Sequence, residues 1–376
     1  MRVLHLFKTY WPDTFGGVER TIHAIAKGTA RYGVQSSVLS LSSTPETSTV
    51  QFDGHMAYKS KLDFEFASTG ISRDVFGLFR QLSAQADVIH YHFPWPLADL
   101  VHFFVRAHKP AILTYHSDII KQKHLLRLYR PLMHRFLGAM DAIVATSPSY
   151  AKTSDVLRRH ATRTTIIPIG LEEKDYPPVS TKNKETWRQR FPRPFFLFVG
   201  VLRYYKGLHI LLEAATNQNF DVVVVGDGPM REDLLARAEK LGARNVHFLG
   251  FVDDTAKSAL LELSTGLVFP SHMRSEAFGL SLVEAAMFGK PMISTELGTG
   301  TSYVNIDGET GLVVKPNDSG ELSRALVRLA EDQELVGLLG ANARQRFEMN
   351  FTAEMMCRSY ADLYGRVLAE NADLSP

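Results

Sequence analysis

Twice along this chain of 376 residues, short apolar segments alternate with helix-period patterns, and that repeated alternation most limits the fold. In the first half the apolar segments fall at 3–7, 37–41, 88–92, 111–115, 142–146 and 165–169. Between the first two, residues 17–31 carry Val18, Ile22, Ile25 and Ala26 at helical spacing. Strands separated by helices predict a doubly wound α/β domain. The second half restarts the pattern at 195–201, 221–226, 246–249, 266–269, 291–294 and 311–314. Helices are expected there at 208–215, 230–241, 255–263, 280–288 and 320–331. These strands read as buried and parallel, because they are continuously apolar.

A chain of this length exceeds what one ordinary core serves, so two domains are expected. We place them at 1–175 and 190–350, with the linker in 172–194, which is rich in Pro, Lys and Thr and has little periodicity. The last pattern, 353–370, is amphipathic and is expected to cross back onto the first domain. The expected fold class is therefore α/β, two Rossmann-like domains facing a central cleft, with ligands at the carboxyl ends of the strands.

The net charge of +2 hides an asymmetry. Residues 1–190 hold 25 Lys and Arg against 16 Asp and Glu, whereas 191–376 hold 17 against 24. A basic half beside an acidic half suggests an anionic partner for one face. Residues 121–136 (Lys-Gln-Lys-His-Leu-Leu-Arg-Leu-Tyr-Arg-Pro-Leu-Met-His-Arg-Phe) are basic with Leu and Tyr interleaved, as on a helix that lies on anionic lipid or simply covers a core. No recognition motif accompanies the charge, so nucleic acid is not expected. No apolar run approaches the ~18 residues that span a bilayer. The N-terminal run is expected to be a core strand rather than a signal peptide. The single cysteine, Cys357, excludes an internal disulfide and a Cys-based metal site, and fits a reducing, cytoplasmic setting. The sequons at Asn317 and Asn350 are then chance matches.

Several strand ends carry chemistry. Phe15-Gly-Gly-Val-Glu19 follows the first strand, where Gly16 and Gly17 let a phosphate approach a helix start; a plain tight turn fits equally well. Phe198-Val-Gly-Val-Leu-Arg-Tyr-Tyr-Lys-Gly207 offers Arg203 and Lys206 at the matching place in the second half, two cations suited to a diphosphate or to bulk water. Val225-Gly-Asp-Gly-Pro229 places Gly226 at the next strand end, but Arg231 stands where a dinucleotide fingerprint needs glycine. His116, in Thr114-Tyr-His-Ser-Asp118, is a proton carrier or a sugar-hydroxyl partner if it is not structural. His90 and His92 share a strand face without carboxylates, and we read both as structural rather than metal ligands. Ser275-Glu-Ala-Phe-Gly-Leu-Ser-Leu-Val-Glu284 is the most informative stretch. Glu276 lies on a loop, Glu284 eight residues on in the following helix, and Phe278, Gly279 and Leu280 offer amides at that helix start. No phosphate-binding loop, nucleophile elbow or Asp-x-Asp dyad occurs, so a departing diphosphate would be neutralised by cations and helix starts.

Taken in order, these segments resemble the retaining nucleotide-sugar glycosyltransferases of family 4, with the GT-B fold, over nearly the whole chain. Phe269-Pro-Ser-x4-Glu276 through Glu284 is the specific part, and Glu309-Thr-Gly-Leu312 is similar to the family's late loop-strand. The resemblance implies that Gly17, beside Gly16, offers an amide to the distal phosphate or reacting sugar, and that His116 contacts the sugar near its 6-position. It gives Arg203 and Lys206 the diphosphate, and Glu276 the sugar hydroxyls with the Phe278, Gly279 and Leu280 amides nearby. Glu284 takes the ribose; Gly226, from its place at a strand end, lines the donor's nucleotide cleft or makes a plain turn equally well. One departure is Val201, where the family often has arginine after the strand-ending glycine.

The same resemblance implies anomeric retention with no metal and no cofactor beyond the nucleotide sugar, the leaving phosphate taking the acceptor's proton. Glu276 then positions sugar rather than attacking it. Asp87-Val-Ile-His-Tyr-His-Phe-Pro-Trp-Pro96 and Gly298-Thr-Gly-Thr-Ser-Tyr-Val304 are similar to segments of bacterial mannosyl- and rhamnosyltransferases of O-antigen synthesis. That implies GDP-mannose or GDP-D-rhamnose as donor and a polyprenyl-diphosphate-linked glycan as acceptor, at the cytoplasmic face of the inner membrane. The alternatives are an epimerase or a synthase with a small soluble acceptor, and a non-catalytic sugar-nucleotide-binding subunit of a polysaccharide assembly complex. The presence of His116, Lys206 and Glu276 argues against the last.

Overall fold

A computed structural model describes residues 1–44, 49–66, 69–119 and 123–372. The chain divides into two compact units, Met1–Gly170 with the helix Ala353–Ala372, and Leu171–Thr352.

Among its described residues the first unit holds ten strands: β1 (Arg2–Leu6), β2 (Gln35–Ser42), β3 (Thr49–Phe52), β4 (His55–Lys61), β5 (Phe64–Phe66), β6 (Thr69–Ile71), β7 (Val88–Phe93), β8 (Ala111–Tyr115), β9 (Ala142–Ala145) and β10 (Thr164–Ile166). Eight form one sheet in the order β10-β9-β8-β7-β1-β2-β4-β3, parallel except for β3, and β5 and β6 make a separate antiparallel pair. The interior strands β7, β8 and β9 are buried at every position, which explains why they read as continuous apolar runs. β3 and β4 were not expected. Their signal is Asp53-Gly54, whose φ values of 46° and 88° are those of a hairpin turn between two short strands.

The C-terminal helix packs on this unit, as its amphipathic pattern predicts. Met356, Cys357, Tyr360, Leu363, Tyr364 and Val367 recur at helical spacing and join Val3, Ile25, Val88, Ile112 and Val144 in one apolar cluster. Two hydroxyls anchor it, Tyr360 to Thr114 Oγ1 and Tyr364 to His90 Nδ1, both at 2.8 Å.

In the second unit β11 (Phe195–Val199), β12 (Asp221–Val225), β13 (Val246–Gly250), β14 (Gly266–Phe269), β15 (Met292–Thr295) and β16 (Gly311–Val314) are all parallel, in the order β13-β12-β11-β14-β15-β16. This is the Rossmann order, and its reversal of direction falls between β11 and β14. Every strand expected in this half is present within two residues.

The domain boundary needs correcting. The chain leaves the first unit after Gly170 rather than at 175, and 172–194 belongs to the second unit instead of linking the two. That segment holds a helix, Thr181–Arg190, started by the Ser180 side chain. Polar contacts fix it: Tyr176 to Glu284, Glu173 to Arg344, and Lys184 to Glu262. An exposed helix held by charges has no apolar period, so its sequence looks like a linker. The helix Gln333–Asn350 was also missed. Only Leu339, Gly340, Ala343 and Phe347 are buried along its 18 residues, too few to mark a stripe.

Candidate active site

At the reversal point of the second unit, the chain leaving β11 must turn sharply to enter its helix. It does so through Tyr204–Lys206, a single 3-10 turn, into Gly207 at φ 73°. A Cβ on Gly207 would lie 2.0 Å from the Pro270 carbonyl oxygen, so only glycine permits the approach. The approach brings the loop after β11 against the loop after β14. There Lys206 Nζ lies 2.5 Å from Glu276 Oε2, which also accepts from Ser271 Oγ at 3.2 Å. The ammonium stands 4.6 Å over the Phe269 ring and 5.5 Å from that of Tyr205. The two side chains are only 12% and 10% exposed. A nearly desolvated ion pair is costly to hold and offers a fixed charge to a ligand. Strand reversal, where helix starts and loops converge, is where sheets of this kind bind ligands.

The second carboxylate is separate. Glu284 is buried, and its Oε1 accepts from Tyr176 OH at 2.7 Å and Lys257 Nζ at 3.0 Å. Each glutamate of the pair thus has its own lysine. Lys257 and Tyr176 were not foreseen. The signal for Lys257 is a cation on the buried stripe of its helix, with Leu260 and Leu261, where a charge needs a partner. Tyr176 lay in the supposed linker.

Gly279 (φ 88°) begins the helix Leu280–Met287 without a side-chain cap. The Phe278 ring is packed inward, 6.2 Å from Phe351. Gly226 has a steric duty: a Cβ there would lie 2.0 Å from the Gly200 oxygen, and beside it Leu202 N donates to Asp227 O at 2.9 Å. It zips the loops after β11 and β12 together. Arg203 is exposed on the same turn as Lys206 and is not joined to the Lys206–Glu276 pair. Arg231, read from the sequence only as a missing glycine, keeps a buried Nη1 with no partner among the described residues.

In the first unit, Gly16 is extended and Gly17 opens the helix Gly17–Gly28, exposed and with open space around it. Glu19 steadies this turn by accepting from Thr9 and Thr14 Oγ1, each at 2.8 Å. His116 follows β8, and its amide donates to Phe93 O at 3.0 Å. Its Nε2 lies 2.9 Å from His92 Nδ1, and burial pushes the ring down to about 3, so it is neutral at working pH. Nitrogens of His5, His90 and His92 come within 4.8 Å of one another. His90 spends Nδ1 on Tyr364 and Nε2 on Thr114, which fits the structural reading given to it.

The family described as Glycosyltransferase Family 4 matches residues 15–175, and Glycosyl transferases group 1 matches 180–346. D-rhamnosyltransferase WbpZ of Pseudomonas aeruginosa is 54% identical over 353 residues, 94% of this chain and 93% of that protein. O-antigen chain mannosyltransferase C of Escherichia coli is 45% identical over 368 residues, 98% of this chain and 99% of that one. Sucrose-phosphate synthase from Thermosynechococcus elongatus superposes with a TM-score of 0.82 at 22% identity, covering 98% of this chain and 99% of its own, a likeness of fold. On two family matches and full-length identity, the chain belongs to the family 4 glycosyltransferases and is a sugar-transferring enzyme of the GT-B fold.

Proposed function

We propose that the enzyme transfers mannose or D-rhamnose, with retention, from a GDP donor to a lipid-linked glycan in O-antigen or related polysaccharide synthesis. The observation that carries the reading is the Lys206–Glu276 pair at the β11/β14 reversal, a cation beside a hydrogen-bonding carboxylate. The sugar follows from the relatives, one a D-rhamnosyltransferase and the other an O-antigen chain mannosyltransferase. In this reading Lys206 steadies the diphosphate, Glu276 holds sugar hydroxyls, Glu284 takes the ribose, and Gly17 and His116 attend the reacting sugar. The bond from the anomeric carbon to the phosphate oxygen breaks, and the acceptor oxygen bonds the same face. The acceptor's proton passes to the leaving phosphate, so no separate protein base is required. No metal is assigned a part.

A thermal-shift panel of GDP-, UDP- and ADP-sugars tests the donor. GDP-mannose and GDP-D-rhamnose are expected to raise the melting temperature, since a ligand of the native state stabilises it. Stabilisation by UDP-sugars alone would overturn the GDP assignment and leave the family untouched. Acceptor-dependent release of GDP separates transfer from epimerisation.

The acceptor reading is supported by a basic, apolar surface on the first unit. Its helix Lys123–Gly138 exposes Leu125, Arg127, Leu128 and Arg130, and Phe104 is 71% exposed near Arg106 and Lys109. Lys121 of the expected basic face lies outside the described residues. Among those described, no helix is long and apolar enough to cross a membrane. We assign this surface to the anionic cytoplasmic leaflet. The protein should pellet with anionic vesicles and be released as salt rises; pelleting that salt does not change would count against the charge.

A further inference from the structure

Three buried histidines stand in single file, ending at His116. His5 Nδ1 lies 3.1 Å from His92 Nε2, and His92 Nδ1 lies 2.9 Å from His116 Nε2. The rings are near parallel, with centroid distances of 5.4 and 5.2 Å and interplanar angles of 17° and 22°. They sit on β1, on β7 and just after β8, three strand positions that neighbour one another through β7. Burial lowers all three rings, so each is neutral at working pH.

A neutral imidazole carries one N–H and one lone pair. Each link in the file uses one of each, so the three tautomers are not independent. Only two polarities satisfy both links. Running outward, His5 Nδ1–H donates to His92 Nε2, His92 Nδ1–H donates to His116 Nε2, and the last proton sits on His116 Nδ1. Running inward, every proton moves to the opposite nitrogen and the file ends in a His5 Nε2–H.

The inner end decides between them. His5 Nε2 is buried and has no partner among the described residues. Inward polarity would leave a buried N–H with no acceptor, which native structures rarely tolerate. Outward polarity leaves an unused lone pair there, a milder defect. The outer end is His116, which keeps 8% exposure. We propose that His5 and His92 lock His116 as the Nδ1–H tautomer, so that it offers a ligand a hydrogen-bond donor and no basic lone pair at that nitrogen.

His92 and His5 are then positioning residues, acting through His116 rather than on a substrate. That the ligand is the donor sugar rests on the function proposed above; the tautomer itself does not. A donor of this kind would meet a lone pair, such as a sugar-hydroxyl oxygen, and could not remove a proton through Nδ1. The rival use of these rings is metal binding by His5, His90 and His92. It would require His90 to give up its bond to Thr114 or to Tyr364.

Two-bond proton–nitrogen correlation spectra of the full-length protein, labelled in histidine and free of nucleotide sugar, read the tautomers directly. His116 is identified by the signal lost in His116→Gln. The expected wild-type result is a protonated Nδ1 and an unprotonated Nε2 at His5, His92 and His116. In His92→Phe, which removes the donor to Nε2, the His116 pattern should shift toward the Nε2–H form. A wild-type His116 protonated at Nε2 would overturn the proposal, as would stoichiometric zinc binding that displaces the His5 and His92 signals. The wild-type spectrum alone decides the polarity, even if His92→Phe fails to fold. Because no sugar nucleotide is present, a failed donor assignment leaves this result standing.

Discussion

Replacing Lys206 by methionine is expected to slow transfer about 100- to 1,000-fold in kcat, the usual cost of removing one fixed group that stabilises developing charge. The same change should destabilise the second unit by about 3 kcal/mol, because it strands the buried Glu276 carboxylate without its cation. These effects can be separated. Glu276→Gln added to Lys206→Met removes the orphaned charge and should restore much of the melting temperature, while transfer stays low. Glu276→Gln alone should chiefly raise KM for the donor, since a neutral amide still donates and accepts at the sugar's hydroxyls. Steady-state release of the nucleoside diphosphate and thermal melts of the four proteins read both quantities. Near-wild-type transfer by Lys206→Met would remove Lys206 from the chemistry.

Mild acid is expected to unfold the first unit well before carboxylates titrate. Five of its histidines are held neutral by burial: His5 and His116 are pushed down to about 3, His55 to about 4, and His90 and His92 well below their usual value. In the unfolded chain each takes a proton near pH 6.5. Below that pH the unfolded state therefore binds more protons than the folded one, and stability falls as pH falls, until the folded values near 3–4 are reached. One such group costs up to about 1.4 kcal/mol per pH unit. If three titrate independently, the loss by pH 5 is about 6 kcal/mol, comparable with the whole stability of many domains. Asp99 works the other way, since burial raises its carboxyl and favours the fold as pH falls, but it is one group against at least five, and burial also lowers His102, His134 and His160. Urea melts at pH 7.5 and 5.5, followed by proteolysis of each unit, should show a large loss confined to the first. Equal melts at both pH values would mean that the histidines titrate normally in the fold.

Sequence reading located the elements better than it located their partners. All six strands of the second unit were legible, because parallel strands covered on both faces must be apolar along their length. Glu276 and Lys206 were legible too, as a loop carboxylate and a strand-end cation before helices. Their meeting was not, since they lie 70 residues apart. Nor was the separate pairing of Glu276 and Glu284, although the family resemblance already implied different jobs for them. Each proved to be matched to a different lysine, and Lys257 comes from a helix whose pattern suggested only core.

The succession of buried parallel strands along the chain and the family motifs are local properties, set by burial period and backbone permission, and the sequence by itself determined them. Tertiary structure decided the rest: that 172–194 is a polar arm of the second unit, that the last helix closes over His90 and Thr114, and that His5 and His92 stand in file behind His116. The physical reason is the same in each case. Apolar burial repeats along the chain and can be read there, whereas a buried polar group is defined by the partner that satisfies it, and that partner arrives from a distant strand or helix.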